Sequence, residues 1–157
     1  MREFKKYSFE LDGIDKIILN SLMSNAKTSI SKIAKEVGVS STAIHQRIKK
    51  LEASEIIKNP VTPLNYKALG YKTIAYVGIY LEKSVKYQES INEMLKINEI
   101  IEAHFTTGNY TVFIKLLCKD NDHLMDVLRN KIQKINGIVR TETIISLEQS
   151  ISRQIKP

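Results

Sequence analysis

The sequence predicts an α+β fold with an N-terminal helix-turn-helix domain, of the winged type, and a C-terminal ferredoxin-like βαββαβ domain. Within residues 1–57, three short segments with helical periodicity are separated by turns, one of which contains a glycine. Within residues 71–157, four segments rich in β-branched and aromatic residues accompany two helical segments. Residues 58–70 hold two of the three prolines and are expected to form an extended linker between the domains.

The first two predicted helices have recognisable ends and inner faces. Asp12 is expected to cap the first helix, with Asp15 near its positive end, and Thr28 or Ser29 to cap the second. The expected inner faces are Ile14, Ile17, Ile18 and Leu22 in the first helix and Ile30, Ile33, Ala34 and Val37 in the second. Gly38 suits the left-handed position that ends the second helix, so a short turn to a third helix is predicted.

The third predicted helix begins after Ser40 and has two different sides. Its apolar stripe, at i, i+4 and i+7, is formed by Ile44, Ile48 and Leu51. Nearly opposite lie a hydroxyl, an imidazole, an amide and cations, which suit reading base edges and holding phosphates. The residues expected to contact DNA are Ser41, Thr42, His45, Gln46, Arg47, Lys49 and Lys50. The alternatives are an ordinary solvated helix face and a three-helix core with no role in DNA binding.

Charge and composition narrow the class of protein. The chain has a net charge of +7, and residues 27–50 carry six cations against one acid, so the positive charge is concentrated around the third helix. One cysteine, Cys118, excludes an intramolecular disulfide. No stretch approaches 18 apolar residues and the N-terminus lacks a signal-peptide hydrophobic region, which favours a cytoplasmic protein without a membrane partner.

Nothing in the sequence indicates catalysis or a metal. The three histidines lie on different elements without metal-ligand spacing, and no nucleophile motif or glycine-rich phosphate loop is present. Residues 120–123 contain two aspartates and a histidine, but acids at a helix start are better explained as caps. We therefore expect neither an enzyme nor a bound cofactor or metal.

The second domain is predicted to have strands at 71–81, 99–107, 109–118 and 138–147. Its helices are predicted at 84–97 and 120–135, with inward residues Tyr87, Ile91 and Leu95 in the first and Leu124, Leu128, Ile132 and Ile135 in the second. Both helices would cover one face of the sheet. The strands carry more apolar surface than two helices cover, which predicts face-to-face dimerisation. The apolar strand residues that provide this surface are Ile74, Tyr76, Tyr80, Val112, Ile114, Ile144 and Ile145.

Two groups of residues, spread from about residue 8 to about residue 150, match the sequence pattern of one known protein family. The matching positions in the first domain are Leu11-Asp12, Asp15, Ile33-Ala34, Val39-Ser40, Arg47, Leu51-Glu52 and Ile57. In the second domain they are Thr107-Gly108-Asn109-Tyr110-Thr111 and Gly137-Ile138-Val139-Arg140-Thr141-Glu142-Thr143. At these positions the chain resembles the Lrp/AsnC family of transcription regulators. The resemblance implies double-stranded DNA as a partner, an amino-acid effector bound between dimers, and a homodimer that assembles to an octamer.

Two departures from the family concern the wing. Glu55 stands where the family usually has glycine, and Lys58-Asn59-Pro60 replaces a glycine-aromatic pair. Because Pro60 cannot donate to a strand ladder, it argues against a regular two-stranded wing.

The predicted effector site combines backbone donors with short polar side chains. The loop of Gly108, Asn109 and Tyr110 offers N–H groups beside a glycine, and Asp120 or Asp122, expected at an adjacent helix start, could meet the ammonium group. Thr111 completes the loop, and Thr141 and Thr143 share one strand face. Strand propensity would equally explain the threonines, and a tight turn would explain Gly108.

The side chains of the loop favour a neutral effector. Asn109 and Thr111 stand where the family commonly has acids, so a cationic effector would lack a counter-charge. Glutamine or asparagine is therefore ranked first, small hydroxyl amino acids second, and leucine or lysine last.

These predictions describe a sequence-specific transcription regulator whose DNA affinity or oligomeric state responds to an amino acid. One alternative is an architectural DNA-binding protein without a ligand, for which no amino acid would change thermal stability. Another is an amino-acid sensor that acts on an enzyme by protein contact, for which DNA binding would lack sequence preference.

Overall fold

The computed structural model describes residues 10–82 and 87–157, which form two compact units. Of the described residues, one unit contains those up to Pro63 together with Ser152–Pro157, and the other contains those within Leu64–Ile151. The division lies inside the predicted linker, whereas Ser152–Pro157 group with the first unit and not with the second. In the described residues, no helix combines the length and the apolar character needed to cross a bilayer.

From residue 10 onwards, the described part of the first unit contains three helices: α1 (Gly13–Ser24), α2 (Ile30–Val37) and α3 (Ser41–Ala53). Their caps are those predicted. Asp12 and Asp15 form a capping box in which the Asp15 N–H donates to Asp12 Oδ1 at 2.8 Å. Ser29 caps α2, and Ser40 caps α3. Gly38 adopts a φ of 76° at the end of α2, the left-handed conformation that glycine reaches without strain.

The core of this unit lies between the three helices, and its fully buried side chains are Ile18, Ile33, Ile44 and Leu51. The inner face of α1 differs from the prediction at two positions. Ile17 is 38% exposed, while Leu19 is buried. The helix is turned so that Asp15 points inward to Arg47 of α3, and this rotation brings Leu19 into the core and takes Ile17 out of it.

No strand precedes Thr73 within residues 10–82, so this stretch contains no two-stranded wing. Helix α3 ends at Ala53. Glu55 then adopts a φ of 59°, and the N–H groups of Ile56 and Ile57 both donate to the carbonyl of Leu51. A left-handed residue therefore closes α3, as glycine commonly does.

The second unit has the predicted ferredoxin-like order. Its elements are β1 (Thr73–Leu81), α4 (Tyr87–Met94), β2 (Ile100–Phe105), β3 (Val112–Cys118), α5 (Asn121–Asp126) with a π-helical continuation (Val127–Ile132), and β4 (Ile138–Ser146). The strands form one antiparallel sheet in the order β2-β3-β1-β4. The first helix predicted for this domain was expected at residues 84–97, and its residues 84–86 lie outside the described residues.

The two faces of the sheet have different surroundings. One face packs on the helices through fully buried side chains: Ala75, Val77 and Ile79 from β1, and Val112, Ile114 and Leu116 from β3. Val112 and Ile114 are thus core residues, and their expected place on the uncovered surface was wrong. The other face, called the open face below, carries Ile74, Tyr76, Tyr80, Phe113 and Ile144.

Both helices of this unit bury a slightly different stripe from the predicted one. Leu95 follows the end of α4 and is 77% exposed, while Ser90 and Met94 are buried. In the second helix Val127 is fully buried and Leu128 only partly so. The cause is the π turn, in which the N–H of Gln133 donates to the carbonyl of Leu128, so that Val127 and Ile132 face the core five residues apart.

Candidate DNA-reading helix and effector loop

Helix α3 presents a continuous polar stripe to solvent. Ile44 and Leu51 are fully buried on its other side, which fixes the rotation of the helix. The predicted contact residues that lie exposed are Ser41, Thr42, His45, Gln46, Lys49 and Lys50. The stripe begins at the first turn of the helix, directly after the turn that follows α2. In helix-turn-helix proteins the N-terminal residues of the second helix of the motif, which is α3 in this chain, contact base edges.

Arg47 is the exception among the predicted DNA contacts. Its guanidinium Nη1 lies 2.6 Å from Asp12 Oδ2 and 2.8 Å from Asp15 Oδ1. The Asp15 side chain is only 8% exposed. The pKa of Asp12 is lowered, first by the hydrogen bond from the Asp15 backbone and then by Arg47. Arg47 therefore connects α3 to the start of α1 by ion pairs with two carboxylates.

The predicted effector loop is held by hydrogen bonds of its own backbone. Thr106 Oγ1 donates to the carbonyl of Tyr110 at 2.7 Å, and the N–H of Thr111 donates to the carbonyl of Ile79 at 2.9 Å. Thr111 Oγ1 accepts from the N–H of Leu81 at 3.4 Å, so its side chain is hydrogen-bonded to β1. Gly108, with a φ of 114°, is exposed at the tip.

Two residues at this loop have different surroundings. Asn109 is exposed. Tyr110 places its ring on the open face, where its hydroxyl donates to Glu142 Oε2 at 2.7 Å. No role was predicted for Glu142 from the sequence, because the register of β4 against β1, which brings this residue near the loop, has no local signal in the sequence.

The two strand threonines lie on the opposite side of the sheet from the Tyr110 ring. Thr141 pairs with Ile79 and Thr143 with Val77, so both face the helix layer. Thr141 Oγ1 accepts from the side-chain amide of Gln133 at 3.3 Å. Within one chain, the threonines and the ring of Tyr110 therefore do not face a common ligand.

The two aspartates are also remote from the loop. The loop precedes β3 and the aspartates follow it, so the seven residues of this strand place them about 20 Å apart. Asp120 caps α5 by accepting from the N–H of His123 at 2.8 Å. Asp122 lies in the first turn of α5. The expectation that these acids lie beside the loop was wrong for a single chain.

No metal cluster accompanies these residues in the described parts of the chain, where no three His, Cys, Asp or Glu side chains are grouped to hold an ion. The ring nitrogens of His123 are engaged by neighbouring protein groups. Its Nδ1 accepts from the N–H of Lys119, and its Nε2 lies 3.1 Å from Glu99 Oε1. Lys131 Nζ binds the same oxygen at 2.7 Å.

Both units match known families. Residues 11–52 match the AsnC-type helix-turn-helix domain, and residues 74–155 match the Lrp/AsnC ligand binding domain. The regulatory protein AsnC of Escherichia coli K12 is 39% identical over 150 residues, which are 96% of this chain and 99% of that protein. The HTH-type transcriptional regulator FL11 of Pyrococcus furiosus is 36% identical over 138 residues, 88% of this chain and 90% of FL11.

Solved structures agree over the whole fold. The structure of E. coli AsnC superimposes with a TM-score of 0.92 at 40% identity and covers 95% of this chain and 100% of that one. A transcriptional regulator from Neisseria meningitidis, solved as an L-Met complex, superimposes with a TM-score of 0.87 at 17% identity, covering 94% and 97%. At that identity the second match establishes the fold alone.

Proposed function

The chain belongs to the Lrp/AsnC family of transcription regulators, and we propose that α3 reads a specific DNA sequence and that an amino acid bound at the second unit adjusts this binding. The observation that carries the proposal is the exposed stripe of α3. Thr42, His45 and Gln46 follow each other at helical spacing on the side opposite to the buried Ile44 and Leu51. Their hydroxyl, imidazole and amide groups are the kind that hydrogen-bond to base edges in the major groove.

The DNA contact is tested with the double variant His45→Ala/Gln46→Ala. Against sites selected in vitro with the wild-type protein, it should lose about 1–3 kcal/mol of discrimination at each base pair that the two side chains read. Competition binding to sites with single-base changes measures this loss. Gln88→Ala, which removes an exposed amide from α4 of the other unit, should bind like the wild type. An unchanged sequence preference in the double variant would refute the role of α3.

The effector that we propose is a neutral amide, glutamine or asparagine. At the loop, Tyr110 and Thr111 use their side chains within the chain, and Asn109 is left exposed beside the tip glycine. An amide there can donate and accept, and it gives a cationic ligand no counter-charge. Thr141 and Thr143 face the helix layer, on the opposite side of the sheet from the Tyr110 ring. They can therefore share the effector with this loop only in a site that more than one chain forms.

Calorimetric titration decides the effector. We expect glutamine and asparagine to bind most tightly, serine and threonine next, and leucine and lysine least, because unpaired polar groups of the site penalise apolar analogues. Methionine belongs in the panel, since it occupies the neighbouring structure from N. meningitidis. Tighter binding of leucine, lysine or methionine than of both amides would mean that the side chains of this loop do not select the ligand.

The assembly that we propose is a homodimer formed through the open face, with further association to an octamer. Ile144 is 57% exposed there, next to the stacked rings of Tyr76 and Phe113, whose centroids lie 5.9 Å apart. Charged groups of both signs, Lys115 and Glu142, accompany them, which favours a self-complementary surface. A second copy of the chain would cover this apolar area, and a dimer would present two copies of α3 to a near-palindromic site.

A further inference from the structure

Tyr110 is anchored at both its main chain and its side chain. Its carbonyl accepts from Thr106 Oγ1 at 2.7 Å, and its hydroxyl donates to Glu142 Oε2 at 2.7 Å. The backbone of Tyr110 belongs to the proposed effector loop, whereas Glu142 is in the middle of β4. Since β1 separates β3 from β4 in the sheet, the side chain of Tyr110 must cross the open face of β1 to reach this partner.

The crossing depends on Gly78. This residue pairs with Phe113 on one side and with Glu142 on the other, so it lies directly beneath the ring of Tyr110. A Cβ at position 78 would lie 2.4 Å from two ring carbons of Tyr110, which is far shorter than any van der Waals contact between carbon atoms. The glycine therefore provides the gap through which the ring reaches from the loop to β4.

Glu142 is surrounded by groups that keep it charged and in place. Tyr80 donates its hydroxyl to Glu142 Oε1 at 3.2 Å, and the Arg140 guanidinium pairs with the same oxygen. Arg140 also lies over the ring of Tyr80, 5.2 Å from its centroid. The hydrogen bond from Tyr110 lowers the pKa of Glu142. A charged acceptor makes a stronger hydrogen bond than a neutral one, so the bond to Tyr110 restrains the loop.

We propose that Glu142 is a positioning residue for the effector loop, which it holds through the hydroxyl of Tyr110 in the gap over Gly78. The inference rests on the proposed function, in which this loop binds the amino acid. Residues Gly108 and Asn109 precede Tyr110 directly, so a displacement of Tyr110 moves the donors that would face the ligand. A preformed loop binds more tightly because its ordering entropy is not lost on binding.

The test compares Tyr110→Phe with Tyr80→Phe. Each variant removes one hydroxyl bonded to Glu142 and keeps its ring, but only Tyr110 is part of the loop. Amide hydrogen exchange of the full chain without ligand should be about tenfold faster at Thr106 and Thr111 in Tyr110→Phe and unchanged in Tyr80→Phe. Glu142→Gln should accelerate the same two amides. Equal rates in Tyr110→Phe and wild type, or equal acceleration in both tyrosine variants, would overturn the inference.

Titration with L-glutamine and L-asparagine gives the second readout. Tyr110→Phe should weaken the binding of the amide that the wild type prefers by several-fold, and Tyr80→Phe should bind it like the wild type. Equal affinity of wild type and Tyr110→Phe would refute the positioning role. A wild-type protein that binds no amino acid would refute the proposed effector function instead, and the exchange rates would still decide whether Glu142 holds the loop.

Discussion

Arg47 and Lys49 are cations on the same helix with opposite surroundings. The Arg47 side chain is 33% exposed and bonded to two aspartates, one of which is almost fully buried. Lys49 is exposed on the polar stripe. Loss of Arg47 would leave the buried carboxylate of Asp15 without its charged donor, which costs more than loss of an exposed charge.

Arg47→Met and Lys49→Met should therefore affect different measurements. Chemical denaturation should show a loss of about 1–3 kcal/mol in the free energy of unfolding for Arg47→Met and less than about 0.5 kcal/mol for Lys49→Met. DNA binding should respond in the reverse way. Lys49→Met should weaken binding to all sequences and reduce the salt slope by about one, as expected for one lost phosphate contact.

The pKa of Asp12 is lowered first by the hydrogen bond from the Asp15 backbone and then by Arg47, and the part due to Arg47 gives the ion pair its pH dependence. A carboxyl whose pKa is depressed by folding adds stability that is fully present above its unfolded pKa and is lost as the pH falls through its folded pKa. The difference in stability between wild type and Arg47→Met should thus be constant near neutral pH and shrink in acid, below the ordinary range of aspartate. A difference that grows in acid, or no difference at neutral pH, would contradict the ion pair.

At the scale of elements, the end of α3 carries a conformational cost. Glu55 closes the helix with a φ of 59°, a region that disfavours residues with a Cβ by about 1–2 kcal/mol. The chain accepts this conformation because the N–H groups of Ile56 and Ile57 then bond to Leu51 and their side chains pack against the helical core.

Glu55→Gly should stabilise the first unit by about 0.5–1 kcal/mol, because glycine removes the strain at the left-handed position. The matched variant is Glu52→Gly, the same substitution three residues earlier inside α3. It should destabilise by about 1 kcal/mol, the usual cost of glycine within a helix. Denaturation midpoints of both variants measure the effect, and the same sign of change in both would contradict the assigned role of residue 55.

At the scale of the whole molecule, the open face is the apolar surface that a second copy would cover. Ile144→Lys places a charge within this face and should shift the protein from dimers or larger assemblies towards the 18.0 kDa monomer in light scattering at micromolar concentration. Leu95→Lys changes an equally apolar and more exposed residue that lies after α4, and it should leave the dimer intact. A monomeric wild-type protein would remove the dimer from the proposal.

Local chemistry made much of this molecule predictable from its sequence. Caps at Asp12 and Ser40, the left-handed Gly38 and the helical spacing of Ile44 and Leu51 all act over a few residues. They suffice to place the helix-turn-helix and to orient the exposed stripe of α3. Alternation and turn residues likewise gave the four strands and the ferredoxin-like order.

Contacts between distant residues decided the rest. The bond of Arg47 to Asp12 spans 35 positions and that of Tyr110 to Glu142 spans 32, so neither leaves a periodic signal. The pairing of β4 with β1 turned Thr141 away from the ring of Tyr110, and the π turn exchanged Leu128 for Val127 in the core. Sequence determined which elements form, because their energetics are local. Tertiary structure determined which side chains meet, because strand pairing and helix rotation are chosen by the packing of the whole core.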